Sequence, residues 1–440
     1  MIPSKPSQPD ISFAGRCVIA SIALCVFEGA ARKWLLPNSV PAVQALMYFS
    51  KDVPLAIAAC STLLNPRRPA SAIFGPMAQL LIVGTLLVLT GSLIAIEGFN
   101  PMGAVITLRN GVVLPWVAWL LGRNLTGRSD IVAICHVVGC SAITNAILGG
   151  IQFYLPGDHY LNLQPTDLTA AVEDAGRLRA SGTFSYITGM ADLCIFTAWA
   201  GAVLVGGFPR RPLGYIYVFA GLTCTAVAMS RSGLLYSLTL ISLVLIFNSK
   251  LRLVGIAIAL IGVFGYGFGG SFFDEAATDD PGIHNAIWSR HKAAGEGIED
   301  RAFGTIISDL PAVAAEYPFG VGLGSSQMSG QVSAKENSLT VFVSTEGEHA
   351  RVVYEVGVLG FCGIYLIRMG SLVILIALIQ SIAFDDRQAR YAAWWPTVFL
   401  IFFGLNMSIV FDHMQATYQA VALMCLLSVF EMQARLKVRS

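Results

Sequence analysis

Ile73-Phe-Gly-Pro-Met-Ala-Gln-Leu-Leu-Ile-Val-Gly-Thr-Leu-Leu-Val-Leu-Thr-Gly-Ser-Leu-Ile-Ala-Ile96 runs on without one charged side chain. A helix needs ~20 mostly apolar residues to cross the hydrocarbon core, and this run suffices. About twelve stretches of the chain qualify on the same ground, roughly 13–31, 39–64, 73–96, 101–122, 130–154, 186–206, 213–230, 232–248, 252–270, 352–378, 392–411 and 414–431. The whole composition agrees. Of 440 residues, 55% are hydrophobic and 12% are charged, and the mean hydropathy is +0.67. Soluble chains carry ~25% charged residues, so this one lacks the polar surface to remain in water. A net charge of +1 excludes a basic nucleic-acid binder, and the apolar content excludes a disordered chain.

The expected architecture is an all-α, polytopic helical bundle, one membrane domain over residues 1–440. No charged start with a short apolar core and a small-residue cleavage site opens the chain, so the first stretch reads as a retained helix. Short connections on one side hold Arg67 and Arg68, Arg123 and Arg128, Arg210 and Arg211, Lys250 and Arg252, and Arg387 and Arg390. The tail adds Arg435, Lys437 and Arg439. By the positive-inside rule both termini are cytoplasmic. Two longer segments then face outward, 155–185 and the large outer loop 271–350. Within the latter, Phe303, Ile306, Ile307 and Leu310 have the spacing of a short helix lying on the interface. The nine cysteines fall in predicted spans, without disulfide or zinc spacing, and read as small buried hydrophobes.

Basic residues on the outward side run against that bias. Arg32, Lys33, Arg109, Arg177, Arg179, Arg231, Arg290, Arg301 and Arg351 all lie there. Arg109 stands inside Val105-Ile-Thr-Leu-Arg-Asn-Gly-Val-Val-Leu-Pro-Trp116, where a charge costs ~2.5–3.5 kcal/mol on insertion scales. Arginine's fork suits phosphate or carboxylate, so one reading is a basic outer cavity for an anionic headgroup. The other is pairing with outer acids between Asp274 and Glu355. Lys51, Asp52, Asp192 and Arg368 suggest a transport path; alternatively, Lys51 and Asp52 neutralise each other in a broken helix and Arg368 snorkels. His349, in Glu346-Gly-Glu-His-Ala-Arg-Val-Val-Tyr-Glu355, sits where the outer loop enters a helix. A helix starting near Glu346 puts Glu346 and His349 on one face, with the dipole favouring a neutral imidazole able to accept a proton; the alternative is a structural histidine at the interface. Pro318-Phe-Gly-Val-Gly-Leu-Gly-Ser-Ser326 lacks the Lys-[Ser/Thr] of a P-loop and reads as a tight loop whose N–H groups approach an oxyanion.

Several segments, in order, resemble the O-antigen ligase/polymerase superfamily, membrane glycosyltransferases of the GT-C class. Arg179-Ala-Ser-Gly-Thr-Phe184 is similar to its R-x-x-G-T-F segment, and Met229-Ser-Arg-Ser-Gly233 to its S-R turn. Arg301 with Pro318 to Gly324 resembles the R…P-x-G-x-G-x-G stretch, and His349 with Glu355-Val-Gly-Val-Leu-Gly360 the H…E-x-G-x-x-G stretch. Phe27-Glu-Gly-Ala-Ala-Arg-Lys-Trp34 and Phe49-Ser-Lys-Asp-Val-Pro54 look like an exopolysaccharide-polymerase subgroup. Ala350 departs from the family's usual asparagine after the histidine.

The resemblance implies a GT-C-like fold in the bacterial inner membrane with its active site facing the periplasm. The reaction it implies is transfer of a glycan from a polyprenyl-diphosphate carrier to a glycan acceptor in O-antigen or exopolysaccharide synthesis. A chain-length regulator is an associated partner, and no nucleic acid, metal or cofactor is involved. Arg179, Arg231, Arg301, Arg109 and Arg290 are the diphosphate-binding candidates, since a departing diphosphate needs fixed positive charge. His349, Glu346 and Glu348 are the candidates for the base. The competing function is a transporter or flippase of a lipid-linked glycan or an anionic solute, which needs charges across the whole membrane and internal repeats.

Reporter fusions test the topology. Fusions after Arg68, Arg128 and Arg211 should read cytoplasmic, and fusions near Gln164 and Lys335 periplasmic. An inverted pattern removes the argument from outward-facing arginines.

Overall fold

The computed structural model describes residues 11–37, 41–64, 74–125, 127–163, 173–174, 177–207, 211–247, 252–267, 309–326, 348–381, 395–401 and 413–439. Those residues are helical apart from loops and a two-residue antiparallel ladder, Glu173–Asp174 (β1) with Arg177–Leu178 (β2). Among the described residues, six helices are long and apolar enough to cross a membrane: Phe13–Leu35, Gly75–Ile94, Pro101–Gly122, Arg128–Tyr154, Ile187–Gly206 and Glu348–Gln380. Shorter apolar helices accompany them at Asp52–Leu64, Pro212–Val227 and Gly233–Leu243. With apolar side chains all round, such helices bury backbone polarity in their own hydrogen bonds and leave apolar faces for lipid or for each other.

In chain order the first elements are α1 (Phe13–Ala30), α2 (Pro41–Phe49), α3 (Asp52–Leu64), α4 (Phe74–Ile94), α5 (Pro101–Leu108), α6 (Leu114–Gly122) and α7 (Arg128–Tyr154). There follow α8 (Ile187–Gly207), α9 (Arg211–Val227), α10 (Arg231–Phe247), α11 (Arg252–Gly267), α12 (Leu310–Glu316), α13 (Glu348–Ser381) and α14 (His413–Arg439). The stretch expected as one span over 39–64 is two helices, α2 and α3, broken at Ser50–Lys51. The α5–α6 span is one helix with a π-helical turn, Arg109–Val113, and a second π turn, Ala31–Leu35, extends α1.

Helix α8 forms the centre and is almost wholly buried. Its Phe196 ring lies stacked between Trp199 (4.8 Å) and Tyr418 of α14 (4.4 Å). Trp199 Nε1 donates to Thr397 Oγ1 (2.8 Å), which satisfies the indole nitrogen of this aromatic stack. Helices α4 and α13 approach at glycines: a Cβ on Gly363 would stand 2.6 Å from the Gly84 carbonyl oxygen. Membrane helices use small residues for this kind of contact, because apolar side chains gain little by leaving lipid.

Helix α13 is a hairpin. The backbone at Gly357 is non-helical (φ 68°, ψ 179°) and separates an arm over 348–356 from one over 358–381. His349 touches Tyr365, and Glu348 pairs with Arg368, across separations of 16 and 20 residues. In one straight helix these pairs would stand about 24 and 30 Å apart, so the short arm folds back against the long one. The long arm alone still suffices to span a bilayer. His349 therefore does not stand at the mouth of a descending helix. It lies about 12 Å back from the turn along a re-entrant arm. The turn needs glycine, since its φ is positive and a Cβ would meet the Phe319 carbonyl carbon at 2.6 Å.

Gly357→Ala should cost about 1–3 kcal/mol, read as a lower melting temperature of the solubilised protein. Gly75→Ala, where nothing lies within 4 Å of the added Cβ, is the control and should not lower it.

Candidate functional site

Asn145 and Gln152, one face of α7, fix the stretch after Arg179. Gly182 N–H donates to Gln152 Oε1 (2.7 Å), Thr183 N–H to Asn145 Oδ1 (2.8 Å), and Thr183 Oγ1 to Val26 O (2.6 Å). The same stretch is tied to the α9–α10 turn: Ala180 N–H donates to Val227 O (3.1 Å) and Arg179 Nε to Ala228 O (3.0 Å). Arg179 thus stands beside Met229 and Ser230, and Arg231 begins α10.

The structure adds Lys33, which the sequence marked only as one outward basic residue among nine. It is fully buried, and its ammonium donates to Ser181 Oγ (3.0 Å) and Gly182 O (2.8 Å) and faces the Trp34 ring at 5.0 Å. Its place on a π turn, a local widening frequent at functional sites, could not be read from residue spacing.

Buried ion pairs lead from there toward α13. Glu28 accepts from Lys51 Nζ (2.5 Å) and Arg32 Nη1 (3.3 Å). Arg109 grips Asp52 with Nε (2.6 Å) and Nη2 (2.5 Å), and donates further to Asn110 Oδ1 (2.6 Å) and Thr417 Oγ1 (3.0 Å). Lys51 and Asp52 therefore do not neutralise each other, as adjacency suggested. The helix break sends them to different partners. Arg109, a candidate for diphosphate, has its charge matched by Asp52 inside the bundle. Arg368 does not snorkel: it is buried and paired with Glu348.

The Gly-rich loop meets an oxyanion within its own chain. Val321 N–H donates to Tyr354 O (2.7 Å), Val358 N–H to Pro318 O (2.9 Å), Gly98 N–H to Val321 O (2.7 Å) and Asn100 N–H to Leu323 O (3.1 Å). So anchored, the loop delivers Ser326 to Glu355, whose Oε1 accepts from Ser326 Oγ (2.6 Å) and N–H (3.2 Å) while Oε2 accepts from Thr107 Oγ1 (2.8 Å). Glu355 is fully buried, and four hydrogen-bonding groups contribute to its surroundings, Gly324 among them. The turn is a socket for this carboxylate rather than an open phosphate cradle.

On the short arm of α13, half-buried His349 meets the Tyr365 hydroxyl through Nδ1, with ring centroids 5.1 Å apart. Arg368 also lines a small cavity of about 50 Å³ with Asn110, Ser371, Gln419 and apolar side chains of α6 and α14. Glu346, Arg290 and Arg301, and the expected interfacial helix except Leu310, which opens α12, lie outside the described residues.

The contacts form one path, Gly182–Lys33, Glu28–Lys51, Asp52–Arg109 and Thr107–Glu355, along the end of the bundle where α1 and α7 finish and α10, α13 and α14 begin. Arg123 and Arg128 lie at the opposite end, where Ser428 Oγ donates to Leu125 O (2.8 Å) and Asp130 caps the chain at Ser12. No protein family model and no curated protein matches the chain.

Removing one partner of a buried pair leaves an uncompensated charge. Asp52 keeps 26% of its side chain exposed, so Asp52→Ala should cost about 3 kcal/mol, the low end for such losses. Asp52→Leu with Arg109→Met should recover most of that, and a double-mutant cycle on unfolding in detergent measures it.

Proposed function

We propose that this chain is a membrane glycosyltransferase of the O-antigen ligase/polymerase kind, GT-C-like, with about twelve spans by the apolar-run argument. In this reading it lies in a bacterial inner membrane with cytoplasmic termini, and works at the periplasmic face on a polyprenyl-diphosphate-linked glycan. The observation that carries the reading is the convergence of its motif segments. Arg179 and Ala180 bond to Ala228 and Val227, directly before residues 229–233, residues 318–324 are docked on the turn at Gly357, and both assemblies lie at one end of the bundle.

In the proposed step an acceptor hydroxyl oxygen bonds to the anomeric carbon while the bond from that carbon to the diphosphate oxygen breaks. The electron pair leaves on the diphosphate, and attack from the opposite side inverts the centre. Arg179, Arg231 and Arg301, with Arg290 a further candidate, supply positive charge to the leaving group, and arginine charge does the work a metal ion otherwise does. The hydroxyl proton passes to a base, for which His349, Glu346 and Glu348 are the candidates. Glu348 is the least available of them, because Arg368 holds its Oε1. Acceptor glycan, bilayer and, for a polymerase, a chain-length regulator complete the partners.

The buried pairs Lys51–Glu28, Arg109–Asp52 and Arg368–Glu348 favour the second reading, transport of a lipid-linked glycan or an anionic solute. Purified protein in liposomes with a lipid-linked oligosaccharide separates the two. Chain growth with inversion is expected, and passage of donor across the bilayer without growth overturns the enzyme. Arg231→Ala and Arg301→Ala should abolish product while leaving protein level and insertion intact, with poor rescue by lysine, which lacks the bidentate fork. Full activity in either variant removes that arginine from the site.

A further inference from the structure

We infer that Tyr365 sets the tautomer of His349: its phenol donates to Nδ1, the proton of the neutral imidazole rests on Nε2, and His349 offers substrate an N–H donor rather than a base. The donor role rests on the glycosyl-transfer reading. The tautomer rests on the geometry alone.

The contact exists because the short arm folds back at Gly357, which brings together side chains that no helical spacing would join. A phenol has one hydrogen to give, and the half-buried Tyr365 hydroxyl places it on the acceptor it contacts. Around Tyr365, the Arg368 guanidinium carbon lies 5.6 Å from the ring centroid, and guanidinium has only donors to offer. Its positive charge turns the phenol's lone pairs toward it and the O–H away. The Phe361 ring covers another side at 4.3 Å and accepts nothing comparable. Glu348, the nearby carboxylate, gives Oε1 to Arg368 Nη1. His349 Nδ1 is the acceptor in contact, and an imidazole that accepts at Nδ1 carries its proton on Nε2.

A base needs its lone pair free. Here the lone pair on Nδ1 is engaged by Tyr365, and Nε2 carries hydrogen. That N–H suits an oxygen that gains negative charge during reaction, and in the proposed transfer this is the diphosphate oxygen released from the anomeric carbon. His349 donates a hydrogen bond there and transfers no proton. The acceptor's proton then goes to a carboxylate. Tyr365 touches no reacting atom and is a positioning residue.

Two measurements on the full chain in lipid nanodiscs test this. Nitrogen NMR with labelled histidine, His349 being assigned by difference with His349→Gln, should show Nε2 protonated and Nδ1 accepting. In Tyr365→Phe the two tautomers should mix, a change that loss of packing alone does not produce. An Nδ1-protonated imidazole in the unaltered protein, or an unchanged signal in Tyr365→Phe, overturns the assignment. In the transfer assay, His349→Gln keeps an N–H but has no basic nitrogen. It should stay within about tenfold of the unaltered protein, while His349→Ala should fall ~10²–10³-fold. Equal loss in both overturns the donor role. An unaltered protein that shows the expected tautomer but transfers no sugar overturns the enzymatic reading and the donor role, and leaves the Tyr365 assignment standing.

Discussion

A guanidinium inside an apolar bundle must meet a carboxylate, and the geometry of Arg109 with Asp52 shows how much structure follows from that need. The two charges come from different helices. Asp52 opens α3 just after the break that ends α2, while Arg109 opens the π turn that links α5 to α6. The pair is bidentate, and the same guanidinium reaches Thr417 on α14, so three parts of the sequence are fixed by one cation. Desolvating two ions costs several kcal/mol each, which only good geometry and further hydrogen bonds offset. Asn110 and Thr417 supply such bonds here. Lys51 with Glu28 and Arg368 with Glu348 are further buried pairs between separate parts of the chain.

The fold-back at Gly357 follows the same logic at larger scale. Glu348 enters an apolar interior only because Arg368 waits there, and the two can meet only if the chain reverses between them. The reversal is held by the Gly-rich loop, whose backbone bonds to residues on both sides of the turn, and by Glu355, which takes the Ser326 hydroxyl and N–H. His349 is thereby moved from a surface position to a half-buried one. A reactive group gains from such a place, since nearby dipoles and charges act more strongly where water is excluded.

Apolar helices were legible in the sequence because they depend on composition alone. The segments that gather at one end were legible too, as short motifs. Ion-pair partners were not. Lys51 and Asp52 are neighbours in the chain, yet a break between helices turns them apart, and nothing in residue spacing reports the rotation of α1 or α5 that brings Glu28 and Arg109 near. Arg368 read as a residue that snorkels from a long helix, because its partner, 20 residues away, is reached only through a reversal. That reversal was marked by one glycine among 43. The Gly-rich loop was read correctly as a place where N–H groups approach an oxyanion, but the oxyanion is Glu355, which a sequence motif for phosphate cannot distinguish from a ligand.

Lys33 shows what the protein gives up in stability to hold this end in place. Its partners among the described residues are a hydroxyl, a carbonyl and the face of Trp34, with no carboxylate. An ammonium so placed is more costly than a methionine of similar length would be, since neutral partners recover only part of its lost hydration. What it secures is the stretch 181–182, which Gln152 and Asn145 hold from the other side. Arg179 precedes that stretch directly, and its Nε is committed to the turn that opens α10. With the residues that follow it held and its Nε bonded to Ala228 O, Arg179 has its guanidinium positioned by the scaffold itself. Preorganised charge is worth most where an anion develops or departs, because no reorganisation is then required during reaction. The cost of burying Lys33 is best understood as the counterpart of that preorganisation.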